Sequence, residues 1–328
     1  MGSLLVLTEQ EVKNLLPLRE AIEALEDAFG KFARGEAVMP AKLYLDFPEH
    51  SGDLRFMPAG LGKEFAGIKV VNSHARNPER GLPAVVGTYL LLSQETGFPL
   101  ALMGATVLTA VRTGGASALA TKYMARDGSR TLGLVGAGVQ ARYQFEAISE
   151  VLDLVEVLVW APESDGIRRD GLIEQMRSDH PSVVFRTAAS VEEAASADVV
   201  CTTTPSRSPI VSAAAVRPGT HVNAVGADGP GKQELDPQIL RNARVIVDEP
   251  YQATHGGELN VPVQSGEYDA SQIAGSLADV VSGAVAGRTS DEQITVFDST
   301  GLAIQDIAMA AHVYRAALRS GLGSKIDL

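Results

Sequence analysis

A glycine-rich turn between an apolar run and a helix-like stretch constrains the fold of this chain more than any other feature. The stretch TLGLVGAGVQARYQFEAI occupies residues 131–148 and carries Gly136, Gly138 and Ala141 at the spacing G-x-G-x-x-A. A strand that enters a helix through such a turn is typical of a βαβ unit. Apolar segments then alternate with helix-like segments as far as QITVFDS at 293–299, which predicts a parallel sheet with helices on its faces.

The residues of this turn also favour a bound dinucleotide. At this spacing Gly136 makes the tight turn, Gly138 lets the backbone approach a pyrophosphate, and Ala141 lets the helix pack closely on the strand. Free N–H groups and the dipole at the helix start attract an anion. A purely structural turn is the alternative, but a strand before the glycines and a helix after them favour dinucleotide binding. We therefore predict an α/β fold with a Rossmann-type doubly wound parallel sheet.

The end of the next strand should select the ribose of such a dinucleotide. An acidic residue there would hold a 2′-hydroxyl and repel a 2′-phosphate. The strand instead ends at Ala161, Glu163 lies about one turn too late, and Arg168 and Arg169 lie further into the following helix. The residues themselves leave open the choice between NAD and NADP.

The N-terminal third of the chain has a different organisation. Thr8 and Glu11 have the spacing of a capping box at a helix start. The segment LREAIEALEDAFGKFARGEA predicts an amphipathic helix whose apolar stripe consists of Ile22, Leu25, Phe29 and Phe32. Strand-like pieces follow, namely KLYLDF, DLRFMPAGL, AGIKVVNS, VVGTYLLLSQ and PLALMGATVL. They predict an antiparallel or mixed sheet, and TAVRTGGASALATKYMA predicts a helix after it.

This organisation predicts two domains, for which 328 residues are sufficient. We expect residues 119–302 to form the dinucleotide-binding domain. Residues 1–118 together with 303–328 should form an α+β substrate-binding and dimerisation domain, with the last helix returning to pack on the N-terminal part. Its sheet is too small and open to cover its own faces, so we expect a homodimer.

Composition and charge exclude several functional classes. The formal net charge is −12, whereas a nucleic-acid-binding protein needs a basic surface. No apolar run approaches the ~18 residues of a membrane span, and we expect no signal peptide. Cys201 is the single cysteine, which excludes an intramolecular disulfide and fits the reducing cytoplasm. His74 and His255 lack the spacing of metal ligands, so we expect no metal.

Three polar residues are hard to explain by structure alone. Lys69 lies within the apolar segment GIKVVNSH, Arg112 lies where a helix of small residues begins, and Asp228 follows the apolar segment THVNAVG in a glycine-rich loop. Separately, each has an ordinary explanation: an edge-strand lysine that reaches water, a surface arginine, and a turn aspartate. Together, the two cations suit a substrate carboxylate. An acid at the carboxyl end of a parallel strand could accept a proton from an amine or a water.

Long segments of the chain resemble the ornithine cyclodeaminase and mu-crystallin family. These segments are KVVNSHARNPERGLPAV, ETGFPLALMGATVLTAVRTGGASALATKYMAR, LVGAGVQAR, TTTPSRSPIV, NAVGADGPGKQELD and FDSTGLAIQD. The resemblance runs from about Leu4 to the C-terminus. It implies a dimer built by the non-Rossmann domain and a nicotinamide cofactor, which is NAD with NADP as the alternative.

The resemblance also implies roles for individual residues. It places Lys69 and Asp228 in catalysis and Lys69 and Arg112 at the substrate, and we add Arg55 to the predicted substrate-binding residues. The residues that it implies for cofactor binding are Arg112, Thr113, Gly136, Gly138, Val139, Gln140, Ala161, Thr203, Thr204 and Ser299.

Within the family, the segments GADGPGKQELD, VNSHARNP and GSKI look most like the archaeal-type alanine dehydrogenase branch. This likeness implies NAD-dependent oxidative deamination of L-alanine to pyruvate and ammonium, and the reverse. The alternatives are cyclodeamination of L-ornithine to L-proline plus ammonia, reduction of a cyclic ketimine such as pyrroline-2-carboxylate, and a non-enzymatic nicotinamide-binding protein. A pure binder needs no proton acceptor such as Asp228, which weighs against the last alternative.

Two details bear on substrate and cofactor. A cyclodeaminase must hold a second amine, which favours an acid in the pocket, whereas LRFMPAGL offers Arg55 and apolar groups. We expect Asp53 and Glu64 to lie outside the pocket, which favours a small monoamine. The alanine dehydrogenase branch usually has an acid where this chain has Ala161, so the resemblance does not fix the preference for NAD over NADP.

Overall fold

The computed structural model describes residues 2–328, which form two compact units. One unit contains the chain up to Arg112 and from Leu302 onward, and the other contains Thr113–Gly301. The strands are β1 (Ser3–Leu7), β2 (Ala37–Val38), β3 (Leu43–Phe47), β4 (Gly52–Leu61), β5 (Phe65–His74), β6 (Val85–Ser93), β7 (Pro99–Gly104), β8 (Thr131–Val135), β9 (Glu156–Trp160), β10 (Val184–Thr187), β11 (Val199–Thr202), β12 (Arg207–Val211), β13 (His221–Ala224), β14 (Gln233–Leu235), β15 (Arg244–Val247), β16 (Gly275–Ser276), β17 (Thr295–Asp298) and β18 (Ser324–Asp327). The helices are α1 (Glu9–Asn14), α2 (Leu18–Ala33), α3 (Thr106–Met124), α4 (Val139–Ile148), α5 (Gly166–Asp179), α6 (Val191–Ala195), α7 (Pro237–Asn242), α8 (Pro250–Gly256), α9 (Asn260–Ser265), α10 (Leu277–Val281) and α11 (Ala303–Ser320).

The first unit is built on a mixed sheet, as predicted. Its strands follow the order β18-β1-β7-β6-β5-β4-β2, with β3 paired to β4. β1 runs parallel to β7, and the other neighbours are antiparallel. Strands β1 and β18 are not predicted from the sequence. These two strands pair with each other, and such pairing between the two ends of a chain has no local sequence signal.

Helix α11 packs on one face of this sheet, over β4, β5 and β6. Side chains on that face come from alternate residues of each strand. Four neighbours in one row across the sheet are Met57, Lys69, Tyr89 and Met103, and each is at most 3% exposed. Lysine side chains are almost never completely buried without a partner, so Lys69 in this buried row indicates a functional site on this face of the sheet.

The starts of α1 and α3 show what the sequence reveals about helix boundaries. The capping box of Thr8 and Glu11 is present, as predicted. The predicted strand PLALMGATVL is too long, because β7 ends at Gly104 and α3 begins at Thr106. The carboxylate of Glu9 accepts hydrogen bonds from the backbone N–H groups of Thr106 (2.8 Å) and Val107 (3.1 Å). This cap comes from a distant part of the chain, so the local sequence does not show where the helix starts.

The second unit is built on a parallel sheet in the order β10-β9-β8-β11-β13-β17-β15-β16. The chain goes outward from β8 to β9 and β10, and then returns to the other side of β8 at β11. This is the doubly wound arrangement that the alternation of strands and helices predicts. The central strands are almost completely buried, as the fully buried Leu134, Val200, Val222 and Val296 illustrate.

The division between the two units falls inside α3. We expected a boundary at 118/119, whereas the compact units separate between Arg112 and Thr113. Because α3 is one uninterrupted helix from Thr106 to Met124, no break in the sequence pattern marks this point. Among the described residues, no helix has the length and apolar character that crossing a membrane requires.

Candidate active site

Lys69 lies at the centre of the first unit. It occupies β5 between β4 and β6, and its side chain is 0% exposed. The alternative of an edge lysine that reaches water is therefore wrong. Its ammonium Nζ donates a hydrogen bond to Oδ1 of Asp306, at 2.6 Å. A completely buried ammonium is costly without such a partner.

Arg112 lies in the second turn of α3 and reaches the same acid. Its Nε is 3.2 Å from Oδ1 of Asp306, and its Nη1 donates to Oε1 of Gln305 at 3.0 Å. The residue is 8% exposed, so the alternative of a surface arginine is also wrong. The structure thus brings the two predicted substrate-binding cations together on one carboxylate.

Lys69, Arg112 and Asp306 form a buried charged cluster whose charges do not cancel when Lys69 is protonated. Burial, followed by repulsion from Arg112, lowers the pKa of Lys69 to about 7, although Asp306 opposes the shift. Burial raises the pKa of Tyr89 well above its ordinary value, with Asp306 as a further cause, so Tyr89 is neutral. With Lys69 protonated, two cations share one anion and leave one positive charge. A buried net charge of this kind favours a bound anion such as a carboxylate.

Asp306 is not among the site residues predicted from the sequence, and Asp53 pairs with one of them, Arg55. Asp306 is 0% exposed on the buried side of α11, and an acid within the apolar segment AIQDIAMAA was the available signal. Asp53 has the same alternation along β4 as Arg55, and its carboxylate accepts two hydrogen bonds from that guanidinium, at 3.0 and 3.2 Å. Asp53, Arg55 and Met57 therefore share the face of the sheet that carries Lys69, with Asp53 four positions along β4 from Met57, the direct neighbour of Lys69.

Asp228 lies in the second unit, in the loop that follows β13. Its side chain is 36% exposed and accepts a hydrogen bond from Nζ of Lys232, at 2.5 Å. Asp228 lies four positions after the last residue of the strand, Ala224. This is the edge of a parallel sheet at which ligands bind in such folds, and the carboxylate is accessible there.

A second buried acid, Glu234, holds this loop and was also missed. One carboxylate oxygen accepts from the N–H and the hydroxyl of Thr204, both at 2.7 Å. The other accepts from the hydroxyl of Thr202 at 2.7 Å and from the N–H of Gly226 at 2.8 Å. Burial raises the pKa of Glu234, while these hydrogen bonds oppose that shift. One side chain therefore links the loop after β11 to the loop of Asp228.

The glycine turn between β8 and α4 is tightly packed at Gly136 and open at Gly138. Gly136 has φ +116°, and a Cβ there would lie 2.7 Å from Oγ1 of Thr203. Gly138 precedes α4 without a capping side chain, and a Cβ there would meet nothing within 4 Å. Val139, in the first turn of α4, is 71% exposed. The space beside Gly138 and Val139 at the start of α4 is therefore open, as a pyrophosphate site requires.

Other predicted cofactor residues lie at the carboxyl ends of neighbouring parallel strands. Thr203 and Thr204 follow β11, Ala161 follows β9 and is 4% exposed, and Ser299 follows β17. Two buried side-chain oxygens, Oγ of Ser299 and Oε1 of Gln140, have no hydrogen-bond partner among residues 2–328. Unpaired buried groups at this edge fit a polar ligand such as a dinucleotide.

Two remaining details concern Thr113 and the ribose. Thr113 is buried in α3 directly after Arg112. Nη1 of Arg168 lies 3.5 Å from Oδ1 of Asp165, and Nε of Arg169 lies 2.9 Å from Oδ1 of Asp170. Both arginines thus make local ion pairs with acids of the same segment.

Comparisons with known proteins agree with this geometry. The family model for the ornithine cyclodeaminase/mu-crystallin family matches residues 3–321. Alanine dehydrogenase from Archaeoglobus fulgidus is 48% identical over 322 residues, with 98% of each chain covered. A solved archaeal alanine dehydrogenase dimer with bound NAD is 46% identical, covers 100% of both chains and has a TM-score of 0.95.

A third relative has a different substrate. The Δ1-pyrroline-2-carboxylate reductase of Thermococcus litoralis, solved with NADH and L-proline, is 35% identical with a TM-score of 0.94, covering 98% of this chain and 100% of its own. The family match spans nearly the whole sequence, and both solved relatives share its complete fold. The chain therefore belongs to the ornithine cyclodeaminase/mu-crystallin family.

Proposed function

We propose that this protein catalyses the NAD-dependent oxidative deamination of L-alanine to pyruvate and ammonium, and the reverse reductive amination. The observation that carries the proposal is the buried cluster of Lys69, Arg112 and Asp306, which holds one net positive charge when Lys69 is protonated. This charge suits the carboxylate that alanine and pyruvate share. The 48% identity to an alanine dehydrogenase supports the same substrate.

The proposed roles follow from the chemistry of each side chain. Lys69 and Arg112 bind and orient the substrate carboxylate, and Arg55 contributes from the same face of the sheet. Asp228 accepts a proton from the substrate amine and orients the attacking water, since its carboxylate is accessible. When bound, the nicotinamide supplies the hydride acceptor. Holding the substrate in one orientation lowers the entropic part of the barrier.

The residues of the glycine turn and of the neighbouring strand ends would hold the dinucleotide. Gly136, Gly138 and the N–H groups of Val139 and Gln140 would receive the pyrophosphate. The side chains of Arg112, Thr113, Ala161, Thr203, Thr204 and Ser299 complete the proposed set. We also propose a reducing compartment such as the cytoplasm, because Cys201 is a buried free thiol.

The open space beside Gly138 gives a direct test of cofactor binding. We expect Gly138→Ala to fold normally, because the added methyl meets no protein atom within 4 Å. The methyl would displace the pyrophosphate and weaken NAD binding by roughly one to two decades, the value of one charge-assisted hydrogen bond. Fluorescence titration measures the NAD Kd. The matched control is Gly171→Ala, which also meets no atom within 4 Å and should keep the wild-type Kd.

The residue after β9 should control the choice of ribose. We expect wild type to prefer NAD by a modest margin, because Ala161 neither binds a 2′-hydroxyl nor repels a 2′-phosphate. Ala161→Asp should sharpen the preference by weakening NADP binding most, by roughly one to two decades. Titration with both cofactors gives the ratio of Kd values. An unchanged ratio in the variant would show that this strand end does not contact the ribose.

We propose a homodimer formed through the first unit. The face of its sheet opposite Lys69 carries Phe56, Ile68, Val70 and Leu90, which are only half-buried, and Leu102, which is 36% exposed. An apolar sheet face of this kind favours a partner. The relative with a TM-score of 0.95 is itself a dimer.

We expect light scattering to give twice the 34.5 kDa of one chain. Leu102→Glu should shift the mass towards the monomer, since it places a charge on the proposed interface. Ile167→Glu is the matched control, because Ile167 is 94% exposed on α5 and should not affect association. A monomeric wild-type protein at micromolar concentration would contradict the proposal.

A substrate panel tests the proposed reaction against its alternatives. The purified protein is incubated with NAD⁺ and L-alanine, L-ornithine, L-lysine or L-proline, and both the absorbance of reduced cofactor and the release of ammonia are recorded. We expect the largest kcat/KM with L-alanine. Preferential oxidation of L-proline would favour a reductase acting on cyclic imino acids, whereas ammonia release from L-ornithine without reduced cofactor would identify a cyclodeaminase.

A further inference from the structure

Asp306 is a buried acid that the proposed reaction does not itself use. It lies in the first turn of α11, and its side chain is 0% exposed. Its Oδ1 receives the hydrogen bond of Lys69 and lies near Nε of Arg112, which makes no hydrogen bond of its own. Its Oδ2 has no hydrogen-bond partner in the described part of the chain. A buried carboxylate with one unpaired oxygen is costly, so a structural role alone explains it poorly.

The hydrogen bond to Asp306 fixes the position of the Lys69 ammonium. The ammonium has three donors, and one of them is directed at Asp306 along a bond of 2.6 Å. This bond orients the remaining donors. Gln305, the neighbour of Asp306 on α11, holds Arg112 in the same way and also accepts from the N–H of Leu302 at 3.1 Å. The start of α11 thus positions both proposed carboxylate-binding cations.

The charged and titratable groups around Lys69 come from four other elements or segments. Arg112 on α3 and Lys42, just before β3, disfavour the protonated ammonium, whereas Asp306 on α11 favours it. Tyr89 on β6 is the neutral neighbour across the strands. Asp306 is therefore the counter-ion that opposes burial and two like charges. Without it, Lys69 would lose its proton at a lower pH.

We propose that Asp306 is a positioning residue that keeps the Lys69 ammonium charged and directed at the substrate carboxylate. The inference rests on the proposed role of Lys69 and Arg112 in carboxylate binding. It assigns to Asp306 no contact with the substrate. Its effect is transmitted through Lys69, so it should appear in the pH dependence of carboxylate binding.

The test is calorimetric titration of the full-length protein, saturated with NAD⁺, with propionate between pH 5.5 and 9. Propionate has the carboxylate and carbon skeleton of alanine but no amine, so the proton acceptor is not engaged. Wild type should bind well at low pH and lose affinity as Lys69 loses its proton. In Asp306→Asn this loss should begin at least about one pH unit lower, because the favourable charge is gone.

Two further variants make the result decisive. Asp198→Asn makes the same chemical change at an acid that pairs with Arg126 at 3.0 Å in the second unit, and it should leave the pH midpoint unchanged. Asp306→Glu retains the charge but displaces it, so it should keep the wild-type midpoint while raising the Kd. It also serves as the test if Asp306→Asn does not fold, and a wild-type Kd in Asp306→Glu would then overturn the inference.

The outcomes separate this inference from the proposed reaction. An unchanged midpoint in Asp306→Asn overturns the positioning role, even if its affinity is lower at every pH. Absence of propionate binding to wild type overturns it too, because the carboxylate role on which it rests would be wrong. If the midpoint shifts as expected but L-alanine is not oxidised, the inference holds and the choice of alanine as substrate fails.

Discussion

Replacing Asp228 by Asn should lower the turnover of L-alanine by about two to four orders of magnitude, the usual contribution of a general acid–base group. The amide has the shape of the carboxylate but cannot accept the proton that the substrate amine must lose. The side chain is 36% exposed in a loop, so the substitution should not disturb folding. NAD affinity should remain near its wild-type value. Steady-state kinetics and fluorescence titration measure the two quantities.

The neighbouring Lys232 supplies the matched control for this prediction. Its ammonium donates to Asp228, so Lys232→Met removes the ion pair but keeps the carboxylate. We expect this variant to lose far less turnover than Asp228→Asn. Comparable losses would attribute the effect to the ion pair, and wild-type turnover in Asp228→Asn would remove Asp228 from the mechanism.

Truncating either buried cation should strongly weaken substrate binding. In Arg112→Ala or Lys69→Ala, the remaining cation is neutralised by Asp306 and the cluster loses its net positive charge. Loss of one charge-assisted contact costs about 1.5–3 kcal/mol, which corresponds to roughly one to two decades in KM. We expect both variants to raise KM, and at least one of them also to lower kcat, because a misplaced carboxylate misorients the reacting carbon.

Calorimetry with a substrate-like carboxylate separates binding from chemistry in these variants. Arg186→Ala is a suitable control, since Arg186 is half-exposed and pairs with Glu156 at 2.7 Å. It should leave KM unchanged. If both cation variants bind the carboxylate as tightly as wild type, the proposed carboxylate site is wrong.

The sequence predicted the features that have a local signal. The spacing of Gly136, Gly138 and Ala141 predicted the turn between β8 and α4, and the alternation of apolar segments predicted the parallel sheet. Lys69 and Arg112 could be predicted as site residues because each is a charged residue in an apolar or small-residue segment. Such anomalies are visible without a structure, since they conflict with the surrounding pattern.

The missing features depend on contacts between distant parts of the chain. Asp306 lies 237 positions after Lys69, and its partner could not be deduced from spacing. Glu234 binds backbone groups of two loops, which requires the strand order to be known. Glu9 caps α3 from 97 positions away, so the start of that helix was placed too late. Buried acids of this kind are determined by the tertiary structure rather than by the local pattern.

The central claim is that this protein joins hydride removal to ammonium release. The measurement that tests it most directly is the stoichiometry of products from L-alanine and NAD⁺, with pyruvate, ammonium and NADH each quantified in one reaction mixture. We expect equal amounts of the three. Ammonium without NADH, or no pyruvate from L-alanine at any pH tested, would contradict the proposed reaction.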